Sequence, residues 1–328
     1  MGFTGWPYNN KMIIRSAQLA EKSEFDVVWV AEDYYTGRDA VTLLACLALS
    51  TKKVNLGTGV IGAYSRSPVL TGATLSTLDE ISDGRMILGL GAGLTWPSWT
   101  EAKETKSIKK MRETVELLRL LLSGANSSFE GSPVTLTQDV PWWPFERIKQ
   151  VRSGIPIYLG GYGPRMIQLA AEVGDGLIVE WFTPLHVVKE RISRLRAHAE
   201  HVGKDYAKID VTGMVVTSPS RDGKIGAPLR WIVGSRILRL NEDLAEQVGI
   251  QKKKYEKIKK EFQRGNMAEV SKCVSDDLVR HYTASGTAEE CVNKLKEYEK
   301  AGLKLPMVFP LGCDLELAIE VGRRFKNV

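Results

Sequence analysis

The amino-acid sequence predicts an α/β fold built from repeated strand–helix units. Two periodicities alternate along its 328 residues: short, β-rich apolar runs and longer amphipathic stretches with helical spacing. The β-rich runs follow one another without reversal, which gives a parallel sheet whose strands are apolar on both faces. Glycine punctuates the ends of several of these runs, marking where turns and sites belong.

The units can be read in order. GFTGW (2–6) is a short first strand, followed by the helical stretch NKMIIRSAQLAEKS (10–23). DVVWVAED (26–33) and KVNLGTGV (53–60) are the next two strands, with DAVTLLACLALSTK (39–52) as the helix between them. RMILGLGAG (85–93) leads to SIKKMRETVELLRLLLSG (107–124), and IPIYLGG (155–161) leads to RMIQLAAEV (165–173). DGLIVEW (175–181) and KIDVTGMVVT (208–217) are the sixth and seventh strands. TAEECVNKLKEYEKAG (287–302), PMVFPLG (306–312) and LELAIEVGRRF (315–325) complete the series. Eight such units favour a closed (β/α)8 TIM-type barrel over an open doubly wound sheet. The chain reads as one domain, 1–328, with two insertions. The first, at about 125–152 after the fourth helix, contains Pro, Gly and the Trp142-Trp143 pair. The second, at about 218–284 after the seventh strand, is too long for a βα loop and reads as a helical subdomain or lid.

Composition narrows the function classes. With 43% hydrophobic residues the chain can bury a sizeable core. Its apolar runs are broken well short of a membrane span, and the start of the sequence carries no export leader, so a cytoplasmic location is expected. Cys46, Cys273, Cys291 and Cys313 form no CxxC pair, which fits a reducing compartment rather than a zinc ribbon or a disulfide framework. His198 and His201 lack spaced partners for a metal, so none is expected. The net charge of +6 is concentrated in QKKKYEKIKKEFQR (251–264), where glutamates alternate with lysines. That pattern is a solvated helix face, not a nucleic-acid contact. A small molecule is the expected partner.

In a βα barrel the active site forms at the C-terminal ends of the strands. The residues there are Glu32 and Asp33, then Thr58-Gly59-Val60, Gly91-Ala92-Gly93, Gly160 to Gly163, Glu180-Trp181 and Leu311-Gly312. Glycine walls let backbone approach a flat or phosphorylated ligand. GGYGPRM (160–166) reads either as a plain tight βα turn or as a phosphate site, with Pro164 in the first helical turn and free amides beside Arg165. Glu32 is the candidate for proton transfer, because a carboxyl beside Trp29 and apolar strand ends would have its pKa raised. Glu180, next to Trp181, is the second candidate. Asp33 either joins the site or holds the next loop through Arg38.

Three segments carry a resemblance: WVAEDYYTGRDAVTLLA, LGTGVIGAYSRSPVLTGATLSTLDEISDGRMILGLGAG and IPIYLGGYGPRMIQLAAEVGDGLI. They resemble the luciferase-like monooxygenase superfamily, in particular the coenzyme F420-dependent branch that includes methylenetetrahydromethanopterin reductase. The likeness spans most of the chain. It implies a barrel enzyme, commonly a homodimer, transferring hydride between the deazaflavin and a small organic substrate, with a methylene-pterin-like compound as one candidate. It also implies a cis peptide bond at Gly59-Val60 behind the deazaflavin ring. Coenzyme contacts are expected at Asp33, Gly59, Val60, Gly91, Gly93 and Gly161, and coenzyme-phosphate contacts at Gly163, Pro164, Arg165 and Met166. The alternatives within and beside that reading are an FMN-dependent monooxygenase and a flavin-binding protein without catalysis. The chain departs from the pattern in three places. Glu32-Asp33 stands where many relatives have an acid and a histidine, Leu94 stands where several have an acid, and GFTGWPY lacks an acid.

Overall fold

The computed structural model describes residues 1–4, 9–33, 38–92, 108–123, 130–131, 151–161, 163–238, 245–246 and 250–327. Strands β1 (Gly2–Thr4), β2 (Val27–Val30) and β3 (Asn55–Thr58) pair in parallel. The helices between them are α1 (Asn10–Lys22) and α2 (Ala40–Ser50). A two-residue strand β4 (Ile61–Gly62) continues the line of β3, and α3 (Pro68–Ile81) returns to β5 (Met86–Gly91). The chain then passes through α4 (Ile108–Leu122), β6 (Ile157–Gly160), α5 (Pro164–Val173), β7 (Gly176–Val179) and α6 (Leu185–His201). The ten-residue β8 (Asp210–Pro219) follows.

The helices with described bounds that follow are α7 (Ala227–Ile237), α8 (Lys252–Gln263), α9 (Met267–Cys273) and α10 (Asp276–Tyr282). The short β9 (Ala284–Gly286) pairs with the end of β8. The last elements are α11 (Ala288–Lys300), β10 (Leu305–Pro310) and α12 (Leu315–Lys326). β10 pairs with both β8 and β1, which closes the sheet. With β3 and β4 counted as one interrupted strand, this is an eight-stranded parallel (β/α)8 barrel.

Local chemistry sets the element boundaries. Asn9, Asp39 and Asp314 accept the exposed amides of Met12, Thr42 and Leu317 and so start α1, α2 and α12. Thr287 and Glu290 form a reciprocal capping box at α11. Pro68 and Pro164 occupy first-turn positions, where a missing N–H costs nothing. Every residue of β2 and β7 is buried, as a parallel strand between two packed layers requires. The barrel interior is filled by Val27, Trp29, Ile87, Tyr158, Ile178 and Met307. A larger core lies between the barrel and its helices. A third, with Val233, Ile237, Ile258, Val270 and Val279, joins α7–α10 to Phe182, Val216 and Phe309 on the barrel.

The N-terminal end of the barrel is tied by the TLDEISDGR segment. Asp79 is buried and accepts from Met86 N at 3.0 Å and from both Arg152 nitrogens at 2.7 and 3.0 Å. Arg85, also buried, donates to the carbonyls of Ala48, Thr51, Val54 and Ser82 at 2.6–3.1 Å. The end of α2 and the loop entering β3 therefore have their carbonyls satisfied by one guanidinium. Both residues stand where β5 begins, the end of a βα barrel that serves stability.

On the outer surface, His198 of α6 pairs with Glu172 at 2.8 Å. The lysine-rich α8 buries Tyr255 and Ile258, while Lys257, Lys259 and Arg264 pair with Glu269, Glu256 and Glu261. No helix among the described residues is long and apolar enough to cross a membrane.

Candidate active site

The third barrel strand is interrupted where it reaches the mouth. Gly57 faces Ile87 and Ile61 faces Leu90, so residues 58–60 oppose only Leu88 and Gly89. One extra residue is accommodated as a bulge. Thr58 bridges the gap: its hydroxyl donates to Gly89 O at 2.7 Å and accepts from Gly89 N at 2.8 Å. Gly59 N turns back to Val30 O at 2.8 Å, and Val60 O accepts from Glu32 N at 3.3 Å. The Gly59–Val60 peptide is cis, at the position the resemblance implies.

Close packing explains why glycine surrounds this bulge. A Cβ at Gly89 would sit 1.9 Å from Thr58 O, so no other residue fits without moving the strand. A Cβ at Gly57 would lie 2.4 Å from the Trp29 indole, and one at Gly59 would lie 3.2 Å from Trp29 Cβ. Trp29 thus fills the space beneath the bulge. A Cβ at Gly91 or Gly160 would come within 2.8 or 2.7 Å of the Val60 methyl groups. The Val60 side chain is therefore received by two neighbouring strands. Gly161 leaves room for Met166, which its Cβ would approach to 2.4 Å. Three of the glycines expected as ligand walls, Gly91, Gly160 and Gly161, also make room for the chain's own side chains.

Gly163 is different. Its φ of −78° is open to any residue, and a Cβ there would meet no atom of the described residues beyond its chain neighbours within 4 Å. It caps α5 without a side-chain hydrogen bond, ahead of exposed Pro164 and Arg165 and half-buried Met166. Neither backbone conformation nor packing demands glycine at this position. An open helix start is suited to an anion.

Glu32 stands just past β2 with its side chain only 4% exposed. Its Oε1 accepts from Arg66 Nε at 3.0 Å and lies 2.9 Å from Arg66 Nη2, and its Oε2 lies 3.4 Å from Gly62 N. Arg66 also pairs with Asp39, the cap of α2. The apolar wall expected around Glu32 is therefore replaced by a guanidinium. Arg66 went unnoticed in the sequence because it lies 34 positions from its partner; its only signal was its place just after the bulge. Asp33 is buried, and its backbone forms a two-way antiparallel bridge with Arg38, with N–O distances of 3.1 and 2.8 Å. Burial lowers the pKa of the Arg38 guanidinium, and the charge of Asp33 opposes that shift. The loop-holding alternative for Asp33 thus has a geometric basis.

Glu180, just past β7, is held on another side of the barrel. Its Oε1 accepts from Arg236 Nη2 of α7 at 2.8 Å and lies 3.8 Å from Arg191 Nη2 of α6. Neither arginine was singled out from the sequence, since Arg236 is 56 positions away in the second insertion. Gly93, Leu94 and Trp142-Trp143 lie outside the described residues. The mouth thus brings together Glu32, Gly59, Val60 and Gly91, and it presents Gly163 at the next helix start.

Comparison with known proteins adds independent findings. The model of the luciferase-like monooxygenase family matches residues 8–305. A 5,10-methylenetetrahydromethanopterin reductase of Archaeoglobus fulgidus is 31% identical, covering 93% of this chain and 91% of its own. The enzyme of the same name from Methanolobus tindarius is 29% identical, covering 94% of this chain and 93% of its own. The solved structure of the coenzyme F420-dependent tetrahydromethanopterin reductase of Methanopyrus kandleri superposes with a TM-score of 0.85. At 24% identity it covers 99% of this chain and 97% of that one, and it shares the fold.

The glycines of the mouth fall into two kinds with opposite expected behaviour. Gly89→Ala is expected to destabilise the fold by about 3 kcal/mol, because the strand pair must separate to admit a methyl group. Gly163→Ala is expected to stay within about 0.5 kcal/mol of the parent, as for an unconstrained surface position. Urea unfolding of both variants measures the difference, and equal losses would refute the assignment of space at the two sites.

Proposed function

The chain belongs to the luciferase-like monooxygenase family, and from that premise we propose that it is a coenzyme F420-dependent oxidoreductase acting on a small, pterin-like substrate. The observation that carries this reading is the likeness to methylenetetrahydromethanopterin reductase over 93% of the chain. The bulge at Thr58–Val60 supports it, because that backbone is fixed from below by Trp29 and from the side by Gly91 and Gly160.

The residues fit a flat, phosphorylated cofactor. Gly59 and Val60 offer a rigid backbone surface for a ring, Gly91 and Gly161 border it, and the open start of α5 from Gly163 to Met166 suits a phosphate. Asp33 closes the adjacent loop against Arg38. When bound there, the deazaflavin supplies hydride chemistry at its ring carbon C5. The chain supplies orientation, exclusion of water and proton handling. Glu32 is the proposed proton-handling carboxyl, tied to the bulge through its own N–H to Val60 O and kept in place by Arg66.

The enzyme is further proposed to be a cytoplasmic homodimer. The outward faces of α2 and α3, which pack side by side, carry Leu49 at 70% and Leu70 at 56% exposure, with Val69 and Ile81 beside them. Helix α2 contains no charged residue in its eleven positions. Such an uncharged outer face is unusual for a barrel helix in water and suits a second copy of the chain.

Titration of the purified protein with F420 and with FMN tests the coenzyme. F420 is expected to bind with a shifted absorbance, whereas tight FMN binding without F420 binding would place the protein with the FMN-using monooxygenases. Glu32→Gln is expected to lower turnover about 100-fold while coenzyme affinity stays within a few-fold, and unchanged turnover would remove Glu32 from proton transfer. Leu49→Lys with Leu70→Lys is expected to give a monomer in sedimentation equilibrium; a persisting dimer would move the interface elsewhere.

A further inference from the structure

Glu180 and Trp181 occupy the wall of the barrel opposite the bulge, where strands β7, β8 and β10 adjoin. Their backbone is held unusually firmly. Thr183 Oγ1 donates to Glu180 O at 2.8 Å, and the buried Tyr298 hydroxyl of α11 donates to Thr183 O at 3.0 Å. Between them Phe182 is buried with a φ of +54°, a conformation that a bulky side chain adopts only where surrounding contacts impose it. The turn places two neighbouring groups just past the C-terminal end of β7. The half-buried Trp181 indole lies with ring centroids 4.9 Å from Phe182 and 5.5 Å from Phe309. The Glu180 side chain is 24% exposed.

The carboxylate is used on one side only. Both guanidinium contacts, from Arg236 and Arg191, fall on Oε1. Oε2 makes no hydrogen bond among the described residues. Two cations from two helices thus hold the group through one oxygen and leave the other without a hydrogen bond among the described residues. A fixed pair of acceptors beside an aromatic platform recognises a flat ring that presents two parallel N–H donors on one edge.

We infer that Glu180 and Trp181 form a substrate anchor, in which the carboxylate accepts the 2-amino and N3–H donors of a pterin-like ring stacked on the indole. This assigns Glu180 to specificity rather than to proton transfer. It rests on the reading of the substrate as pterin-like, and it gives the second insertion a task, since Arg236 of α7 sets the angle of the carboxylate.

The test compares two probes, pterin (2-amino-4-oxopteridine) and lumazine (2,4-dioxopteridine), which lacks the 2-amino donor. Their dissociation constants are measured by tryptophan-fluorescence quenching on the coenzyme-loaded protein and on the coenzyme-free protein. The parent is expected to prefer pterin by about tenfold or more, the worth of one hydrogen bond to a charged group. Glu180→Gln is expected to reduce that ratio to about two-fold and to raise KM without altering the pH profile. Glu180→Asp keeps the charge for both arginines but draws the oxygens back by one methylene, and it is expected to relax the ratio in the same direction. Trp181→Leu is expected to weaken both probes equally.

An unchanged ratio in Glu180→Gln and Glu180→Asp, or a lost limb of the pH profile, would overturn the anchor. Discrimination by the parent without F420 binding would leave the anchor standing and sink the coenzyme reading. F420 binding without discrimination would do the reverse.

Discussion

One surplus residue in the third barrel strand shapes the mouth of this protein. Residues 58–60 must fit against two residues of β5, and the ladder would lose a rung there if Thr58 did not supply both a donor and an acceptor to Gly89. Its position then fixes its neighbours. Gly89 must be glycine to clear Thr58 O, Gly57 to clear Trp29, and Gly91 and Gly160 to receive Val60. The Val60 carbonyl turned toward Glu32 N brings the end of β2, and with it Glu32 and Arg66, to the same edge. A rigid site on strand ends follows from packing and hydrogen bonds that begin with one hydroxyl.

The two ends of the barrel divide their labour. At the entry to the strands, buried charges serve the fold alone: Arg85 gathers carbonyls from α2 and from the loop before β3, and Asp79 joins Arg152 to β5. At the mouth, the buried Glu32 and half-buried Glu180 are each held by arginine at the C-terminal ends of their strands. TLDEISDGR, a specific sequence signature of the resemblance, therefore belongs to the structural end.

Much of this architecture is legible in the sequence, because the alternation of β-rich and helical periodicity depends on local burial. The strand runs at 26–33, 85–93 and 175–181 contain β2, β5 and β7, and the helical run at 10–23 matches α1 within a residue. The cis bond at Gly59-Val60 was accessible only through resemblance, since glycine density alone could not separate a bulge from a frayed strand end. The site's ion pairs were not legible. Glu32–Arg66 and Glu180–Arg236 join positions 34 and 56 apart, brought together only when β2 pairs with β3 and β7 with β8. The short β4 and β9 were missed because two or three residues carry no periodicity. The glycines are legible as constrained positions, but the side chains that need the space, Trp29, Val60 and Met166, are not.

The seating of Val60 between Gly91 and Gly160 also bears on how such a site can change over generations. A smaller residue at 60 leaves the space beside Gly91 and Gly160 unfilled, and a side chain at 91 or 160 collides with the Val60 methyl groups. Three positions on three strands therefore vary as one, each substitution harmful until its companions arrive. Such epistasis would slow any drift of the bulge's shape. The opposite wall, where Glu180 and Trp181 sit on a turn, carries no comparable interlock of glycines among the described residues, so that side of the mouth is the freer one to vary.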